Sequence, residues 1–150
     1  MHFSDIISME RIRCAVPAAS KKRALEELSQ LIATADTSIN PNEVFESLIT
    51  REKLGSTGLG HGIAIPHGRL KASDHTVAAF IQLENGVDYD APDNKPVDLL
   101  CALLVPPEST EEHLQILAEL SEMFRSETLR NDLRQAKSAE EIIARLAPGK

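Results

Sequence analysis

Residues 56–68 read Ser56-Thr57-Gly58-Leu59-Gly60-His61-Gly62-Ile63-Ala64-Ile65-Pro66-His67-Gly68, a glycine-rich stretch followed by a short apolar run and a Pro-His pair. Glycine permits positive φ and lets bare backbone N–H groups come close to a ligand. The apolar run 63–65 predicts a brief buried strand. Pro66 should end it, because proline donates no ladder hydrogen bond, so His67 should leave the sheet edge in a defined direction. Such an imidazole is a candidate nucleophile or metal ligand, the alternative being an ordinary polar turn residue.

Composition limits the classes of function. A chain of 150 residues predicts one domain with its own core, and a net charge of −7 argues against nonspecific attraction to nucleic acid or to an anionic membrane. The first residues lack the parts of a secretion signal, and the longest apolar run, 99–105, is too short to cross a bilayer. We therefore expect a cytosolic protein without membrane insertion. Cys14 and Cys101, with no metal-ligand spacing, are expected to be reduced, packed thiols.

Periodicity predicts alternating strands and helices. Strands are expected at 11–16, at 76–83, followed by a turn at Glu84-Asn85-Gly86, and at 97–105. Capping residues open helices at Ser20, Asn40, Ser109, Ser126 and Ser138. In the helix after Ser109, the residues predicted to face inward are Leu114, Leu117, Ala118 and Leu120. The chain therefore predicts an α/β fold, a single domain over residues 1–150 with a mixed β-sheet and helices packed on both faces.

One arginine and a second histidine are placed to work with His67. The helix after Asn40 carries Arg51 and Glu52 to the start of the glycine-rich loop, and His113 follows the Pro106-Pro107 corner. An arginine can hold a phosphoryl group in a bidentate arrangement that lysine cannot reproduce, whereas an exposed Arg-Glu pair is the plain alternative. Lys21-Lys22-Arg23 opposes a helix dipole and is most simply a solvated face.

Two chemistries could use these histidines. A zinc site would need three or four ligands at regular spacing, which the histidines do not show. Phosphoryl transfer through histidine needs one nucleophilic imidazole, cationic and N–H groups for the phosphoryl oxygens, and a second polar group. His67, the glycine-rich loop, Arg51 and His113 fit those parts. The P-loop pattern is absent, so the sequence does not point to a nucleotide as phosphoryl donor.

At this point the chain resembles the enzyme IIA family of the bacterial phosphoenolpyruvate-dependent phosphotransferase system, in its fructose/mannitol-type (type 2) branch, and most of all the nitrogen-regulatory form. The resemblance extends over nearly the whole chain and rests on five stretches: Arg51-Glu52, Ser56-Thr57-Gly58, Gly60-His61-Gly62-Ile63-Ala64-Ile65-Pro66-His67-Gly68, Lys95-Pro96-Val97 and His113-Leu114.

The resemblance implies a role for each matching residue. His67 would be the nucleophile that accepts a phosphoryl group at Nε2 from the HPr-like phosphocarrier protein, with Nδ1 held by a backbone partner. His113 would hydrogen-bond the phosphoryl group, and Arg51 would be the active-site arginine. The phosphoryl-binding loop would comprise Ser56, Thr57, Gly58, His61 and Gly62. We expect no cofactor and no metal.

The family resemblance also bears on partners. Mannitol-type members carry Glu where His61 stands, and no IIB or membrane IIC region is fused within the 150 residues, which together argue against onward transfer to a sugar-specific IIB domain. Regulatory members act on target proteins according to their phosphorylation state, and potassium transport and its sensor kinase are among such targets. The alternatives are a sugar-specific enzyme IIA and a binding module that is never phosphorylated.

Overall fold

The computed structural model describes residues 2–71, 73–108 and 110–149. Within these residues six strands form one sheet: β1 (Ile12–Val16), β2 (Gly58–Gly60), β3 (Ile63–Ala64), β4 (His67–Arg69), β5 (Val77–Val87) and β6 (Val97–Val105). Five α-helices accompany them: α1 (Lys21–Ala35), α2 (Pro41–Leu54), α3 (Thr110–Met123), α4 (Glu127–Gln135) and α5 (Ala139–Leu146).

The sheet is mixed, as predicted. Its strands lie in the order β1-β5-β6-β3-β2. β4 also pairs with β6, on the same side of β6 as β3 but nearer the carboxyl end of that strand. The β5/β6 and β2/β3 pairs are antiparallel, whereas β1/β5, β3/β6 and β4/β6 are parallel. The segment from β3 to β4 therefore follows β6 for most of its length.

Helices cover both faces of this sheet because its two central strands are apolar on both sides. On one face, side chains of α1 and α2 pack against alternate residues of β5 and β6, among them Ile81, Leu100 and Leu104. On the other face, α3, α4, α5 and the N-terminal turns pack against Phe80, Leu99 and Leu103. The predicted fold class is confirmed, with one core on each side of the sheet.

Local capping sets the helix starts at the predicted residues. Ser20 Oγ accepts the N–H of Arg23, and the Asn40 side chain accepts N–H groups of α2 with Pro41 at its first position. Ser126 and Ser138 cap α4 and α5 in the same way. Ser109, predicted to cap α3, lies outside the described residues.

The predicted turn at Glu84-Asn85-Gly86 is wrong, because β5 continues through it to Val87. Gln82 lies opposite Leu99 and Val87 lies opposite Val97, so five steps along β5 correspond to two along β6. The extra residues are accommodated as a bulge in a continuous strand rather than as a reversal of the chain.

The inward face of α3 is also different from the one predicted. Ile116 and Leu120 are buried together with His113, while Leu114 is 62% exposed and Ala118 is exposed. The prediction failed because it placed only apolar residues in the buried stripe. The position one turn before Ile116 belongs to His113, so the stripe is rotated toward the histidine.

Candidate active site

His67 is the first residue of an edge strand, and this corrects the expectation that the sheet ends at Pro66. Pro66 O accepts the N–H of Leu103 at 2.9 Å, and Leu70 N donates to Val105 O at 3.0 Å, so the ladder with β6 resumes after the proline. Proline only interrupts it, because Pro66 has no N–H to donate. Since backbone groups alternate in direction along a strand, the N–H and C=O groups of residues 65, 67 and 69 face away from β6.

That outward direction fixes the His67 ring. Ile65 O faces the open edge and lies 2.8 Å from His67 Nδ1. A carbonyl oxygen can only accept, so Nδ1 must carry the proton and Nε2 is left with the lone pair. Burial lowers the pKa of His67 below its usual value. The hydrogen bond to Ile65 O acts in the opposite direction and raises the pKa, whereas the positive charges of Arg51 and Arg69 lower it. The ring is therefore neutral near pH 7, with Nε2 as its nucleophilic atom.

A pocket of about 600 Å³ opens in front of His67, between the end of α2 and the start of α3. Arg51 and His113 line it together with His67, so the structure brings three predicted site residues to one place. Gly68 lies against α2, where a Cβ would stand 3.0 Å from the carbonyl oxygen of Ser47. Ser47 Oγ donates to Arg69 O at 2.7 Å, which ties α2 to the strand of the nucleophile.

His113 stands edge-on to His67, with ring centroids 5.1 Å apart and an interplanar angle of 72°. It is buried, and its Nε2 has no hydrogen-bond partner among the described residues. Burial lowers its pKa to about 4, helped by the neighbouring His67 and the two arginines. A buried polar nitrogen without a partner is rare in folded proteins and marks a place where a ligand can supply the bond.

Two guanidinium groups flank the histidines. Arg51 Nη1 donates to Gly55 O at 2.9 Å, which fixes the arginine at the end of α2. Arg69 Nη1 donates to Pro107 O, across the turn before α3. Sequence reasoning missed Arg69, although a signal was present: residues i and i+2 of a strand share a face, so a strand at His67 would have placed Arg69 beside it.

A buried network of one ion pair and several hydrogen bonds lies at the end of α2, next to Arg51. The Glu52 side chain is 2% exposed and pairs with Lys21 Nζ at 2.9 Å. Its oxygens also accept the N–H and the hydroxyl of Thr57, and Thr57 Oγ1 lies 3.2 Å from the hydroxyl of Tyr89. The burial of Tyr89 and the charge of Glu52 raise the pKa of the phenol. Lys21 is therefore no part of a solvated face, and Glu52 is not an exposed partner of Arg51.

The five predicted loop residues do not line the pocket of His67. Thr57 N donates to Glu52, Gly58 N donates to Ser56 Oγ, and Ser56 Oγ donates to Tyr89 O, so this part of the loop is used in internal bonds.

His61 and Gly62 lie further away, beside α4. His61 N donates to Asp93 at 2.9 Å, and its carbonyl accepts from Arg134. Gly62 has φ of 80°, and a Cβ there would overlap the guanidinium of Arg134. The glycine thus makes room for a side chain of α4 and is not brought to the pocket of His67.

Among residues 2–71, 73–108 and 110–149, no three His, Cys, Asp or Glu side chains converge as a metal site would require. No helix in the same ranges has the length and apolar character needed to span a bilayer.

A neutral imidazole with one free nitrogen, two guanidinium groups and a second imidazole together suit phosphoryl transfer through histidine. The family model described as phosphoenolpyruvate-dependent sugar phosphotransferase system, EIIA 2, matches residues 5–148. The chain therefore belongs to this family, whose members act as phosphoryl carriers of that system.

Known relatives refine the position within the family. The nitrogen regulatory protein of Escherichia coli (strain K12) is 46% identical over 143 residues, covering 95% of this chain and 87% of the relative. The crystal structure of nitrogen regulatory protein IIA-Ntr from Neisseria meningitidis superposes with a TM-score of 0.89 at 42% identity, covering 95% of this chain and 97% of that one. Enzyme IIA-mannitol of Escherichia coli, solved in complex with phosphorylated enzyme IIB-mannitol, gives 0.79 at 25% identity, covering 98% and 99%. These findings confirm the predicted family and its nitrogen-regulatory branch.

Proposed function

We propose that His67 accepts a phosphoryl group at Nε2 from a phosphohistidine of an HPr-like phosphocarrier, and that the two forms of the protein act differently on regulatory targets. The observation that carries this proposal is the 2.8 Å contact between His67 Nδ1 and Ile65 O, which leaves Nε2 as the lone-pair nitrogen.

The chemical step is a direct exchange of one P–N bond for another. The Nε2 lone pair of His67 attacks phosphorus, and the donor P–N bond breaks with its electron pair returning to the donor imidazole. The Nδ1 proton stays on His67, where Ile65 O stabilises the positive charge that the ring gains. No proton has to leave the nucleophile during attack, because Nε2 carries none.

The surrounding groups match the charge of the transferred group. Arg51 and Arg69 bear fixed positive charges on the pocket wall, and their role is to hold the phosphoryl oxygens. His113 is neutral, and in the tautomer that carries the proton on Nε2 this unpartnered nitrogen donates to a phosphoryl oxygen. These donors are in place before the reaction, which is the condition for electrostatic stabilisation without reorganisation.

Phosphorylation would change the local charge sharply. The resting pocket holds two guanidinium groups, two neutral imidazoles and the carboxylate of Glu46, so its wall carries a small net positive charge. A phosphoryl group adds about −1.5 to −2 charge and makes the net charge of the pocket negative, so a target that presents an acidic group to this pocket would prefer the unphosphorylated form. Potassium transport and its sensor kinase are candidate targets by family resemblance.

The test is intact-protein mass after incubation with phosphoenolpyruvate, enzyme I and an HPr-like carrier, before and after brief acid treatment. We expect the wild-type protein to gain one acid-labile phosphate and His67→Ala to gain none. His75→Ala is the matched control, because His75 is exposed and lies outside the pocket, and it should label like the wild type. Labelling of the His67 variant would refute the proposal.

Two other functions are outcomes of the same experiment. No labelling of the wild type, with donor enzymes active on a known acceptor, would make the protein a binding module. Passage of the phosphate to an added IIB domain would favour a sugar-specific enzyme IIA, for which the likeness to the IIA-mannitol structure is the supporting observation.

A further inference from the structure

A second cavity, of about 450 Å³, lies beside α4 and shares no described residue with the pocket of His67. Gly62 and Asp98 line this cavity. They precede His67 and Leu103 by five residues each, a distance of about 17 Å along the sheet. Its volume is in the range of pockets that hold small molecules.

Arg130 is the unusual member of the cavity lining. It is only 8% exposed, and one of its guanidinium nitrogens, Nη1, donates to Phe124 O at 2.8 Å at the end of α3. Arginine has five N–H donors, and those of Arg130 that find no acceptor within the described ranges are open to solvent rather than sealed in the core. In the described part of the chain no carboxylate forms an ion pair with Arg130, although buried charges are normally paired.

One of the two acidic residues that line the cavity, Asp98, is already paired. Asp98 receives three contacts of 3.0–3.1 Å from Arg134 Nε and Nη2. Arg134 in turn donates to the carbonyl of His61, an arrangement that Gly62 permits by having no side chain. Asp98 therefore neutralises Arg134 and is not a counter-ion for Arg130.

The remaining lining adds positive charge and donors. Lys95 lines the cavity, is exposed, and forms no salt bridge with any described residue, although its charge also acts on the nearby carboxylate of Asp93. Asn131 provides an amide. Glu127 is the other acidic lining residue, and it is exposed and unpaired at the start of α4. Two unpaired cations, one of them buried, thus face one cavity that contains one unpaired, solvated carboxylate.

We propose that this cavity binds a small organic anion through a carboxylate or phosphate group that pairs with Arg130 and Lys95. A buried guanidinium presents a bidentate pair of donors suited to either group, and Lys95 supplies a second charge from the rim. The proposal does not depend on the phosphorylation of His67, because the two pockets are lined by different residues.

The experiment is an amide NMR titration of the full chain with inorganic phosphate and, separately, with succinate. We expect saturable shifts of residues 95–98 and 127–134 with at least one probe, and the tighter probe identifies the group. Lys95→Gln should weaken that binding by about tenfold, since it removes one charged contact. Arg130→Gln should weaken it further, and Lys95→Gln keeps the test valid if loss of the buried arginine unfolds the chain.

The controls separate the two anion-binding pockets. Arg51→Gln should abolish shifts around residues 51–69 and 113 without changing those around 95–98 and 127–134. Lys137→Gln is the matched lysine control outside the cavity and should leave the affinity unchanged. Shifts confined to the His67 pocket, no shifts with either probe, or an unchanged affinity in Lys95→Gln would overturn the proposal.

Discussion

Replacement of Lys21 by methionine tests the buried network beneath the active site. Lys21 Nζ pairs with Glu52 at 2.9 Å and lies 4.3 Å from the centroid of the Tyr89 ring. Methionine keeps most of the apolar stem but removes the charge, so the Glu52 carboxylate is left 2% exposed without its counter-ion. The free energy of unfolding should fall.

The size of the loss follows from the environment of the pair. Removing one partner of a buried ion pair costs about 3–5 kcal/mol. The low end applies here, because Lys21 keeps 21% of its side chain exposed and Glu52 retains two hydrogen bonds from Thr57. We expect Lys21→Met to cost about 3 kcal/mol, a large share of the roughly 5–15 kcal/mol that stabilises a domain.

Urea denaturation followed by circular dichroism at pH 7 measures this loss. Lys22→Met is the matched control, because Lys22 is exposed, and it should change stability by no more than about 0.5 kcal/mol. The double variant Lys21→Met/Glu52→Gln should recover most of the loss, since a neutral amide needs no counter-ion. A cost of Lys21→Met as small as that of the control, or a double variant no better than the single one, would refute the reasoning.

Three further outcomes are expected. Gly68→Ala should lower the free energy of unfolding, measured by urea denaturation, by about 2 kcal/mol and should slow phosphoryl acceptance. The reason is that the added Cβ would stand 3.0 Å from the carbonyl oxygen of Ser47 and push α2 away from the strand. A wild-type rate of phosphoryl acceptance would contradict this. Folding lowers the pKa of His113 from 6.5 to about 4, so between these values the unfolded chain binds more protons than the folded chain. The free energy of unfolding should therefore fall from pH 6.5 toward pH 4, and His113→Asn should flatten that dependence. Equal slopes in urea denaturation of the two proteins would contradict it. Ser126→Ala should cost about 1 kcal/mol, measured by thermal or urea unfolding, by removing the cap on Leu129 N; no change would show that water replaces the cap.

The parts of the fold that follow local rules were predictable. The apolar run 97–105, broken only by Asp98, predicted a strand buried on both faces, and β6 spans those residues. The Asn40-Pro41 signal likewise predicted the start of α2 and hence the delivery of Arg51 to the loop. These features depend on one segment at a time, so periodicity and capping suffice.

The errors lie where two distant segments decide the outcome. Lys21 looked solvated because its partner Glu52 is 31 positions away in the chain, on another helix. His61 and Gly62 looked like parts of a phosphoryl-binding loop, yet their position is set by Arg134 of α4. No pattern within either segment contains that information, since the contact exists only after the helices have packed on the sheet.

The geometry of His67 combines both kinds of information. The absence of an N–H at Pro66 is a property of the sequence, and it interrupts the edge strand at that residue. The consequence for the ring comes from the register, because Leu103 N bonds to Pro66 O and so directs Ile65 O away from β6. The imidazole of His67 then satisfies that carbonyl through Nδ1. The edge strand that presents the histidine thus also selects its tautomer, so a variant that shifts the β4/β6 register by one residue would lose both the position and the nucleophilic nitrogen.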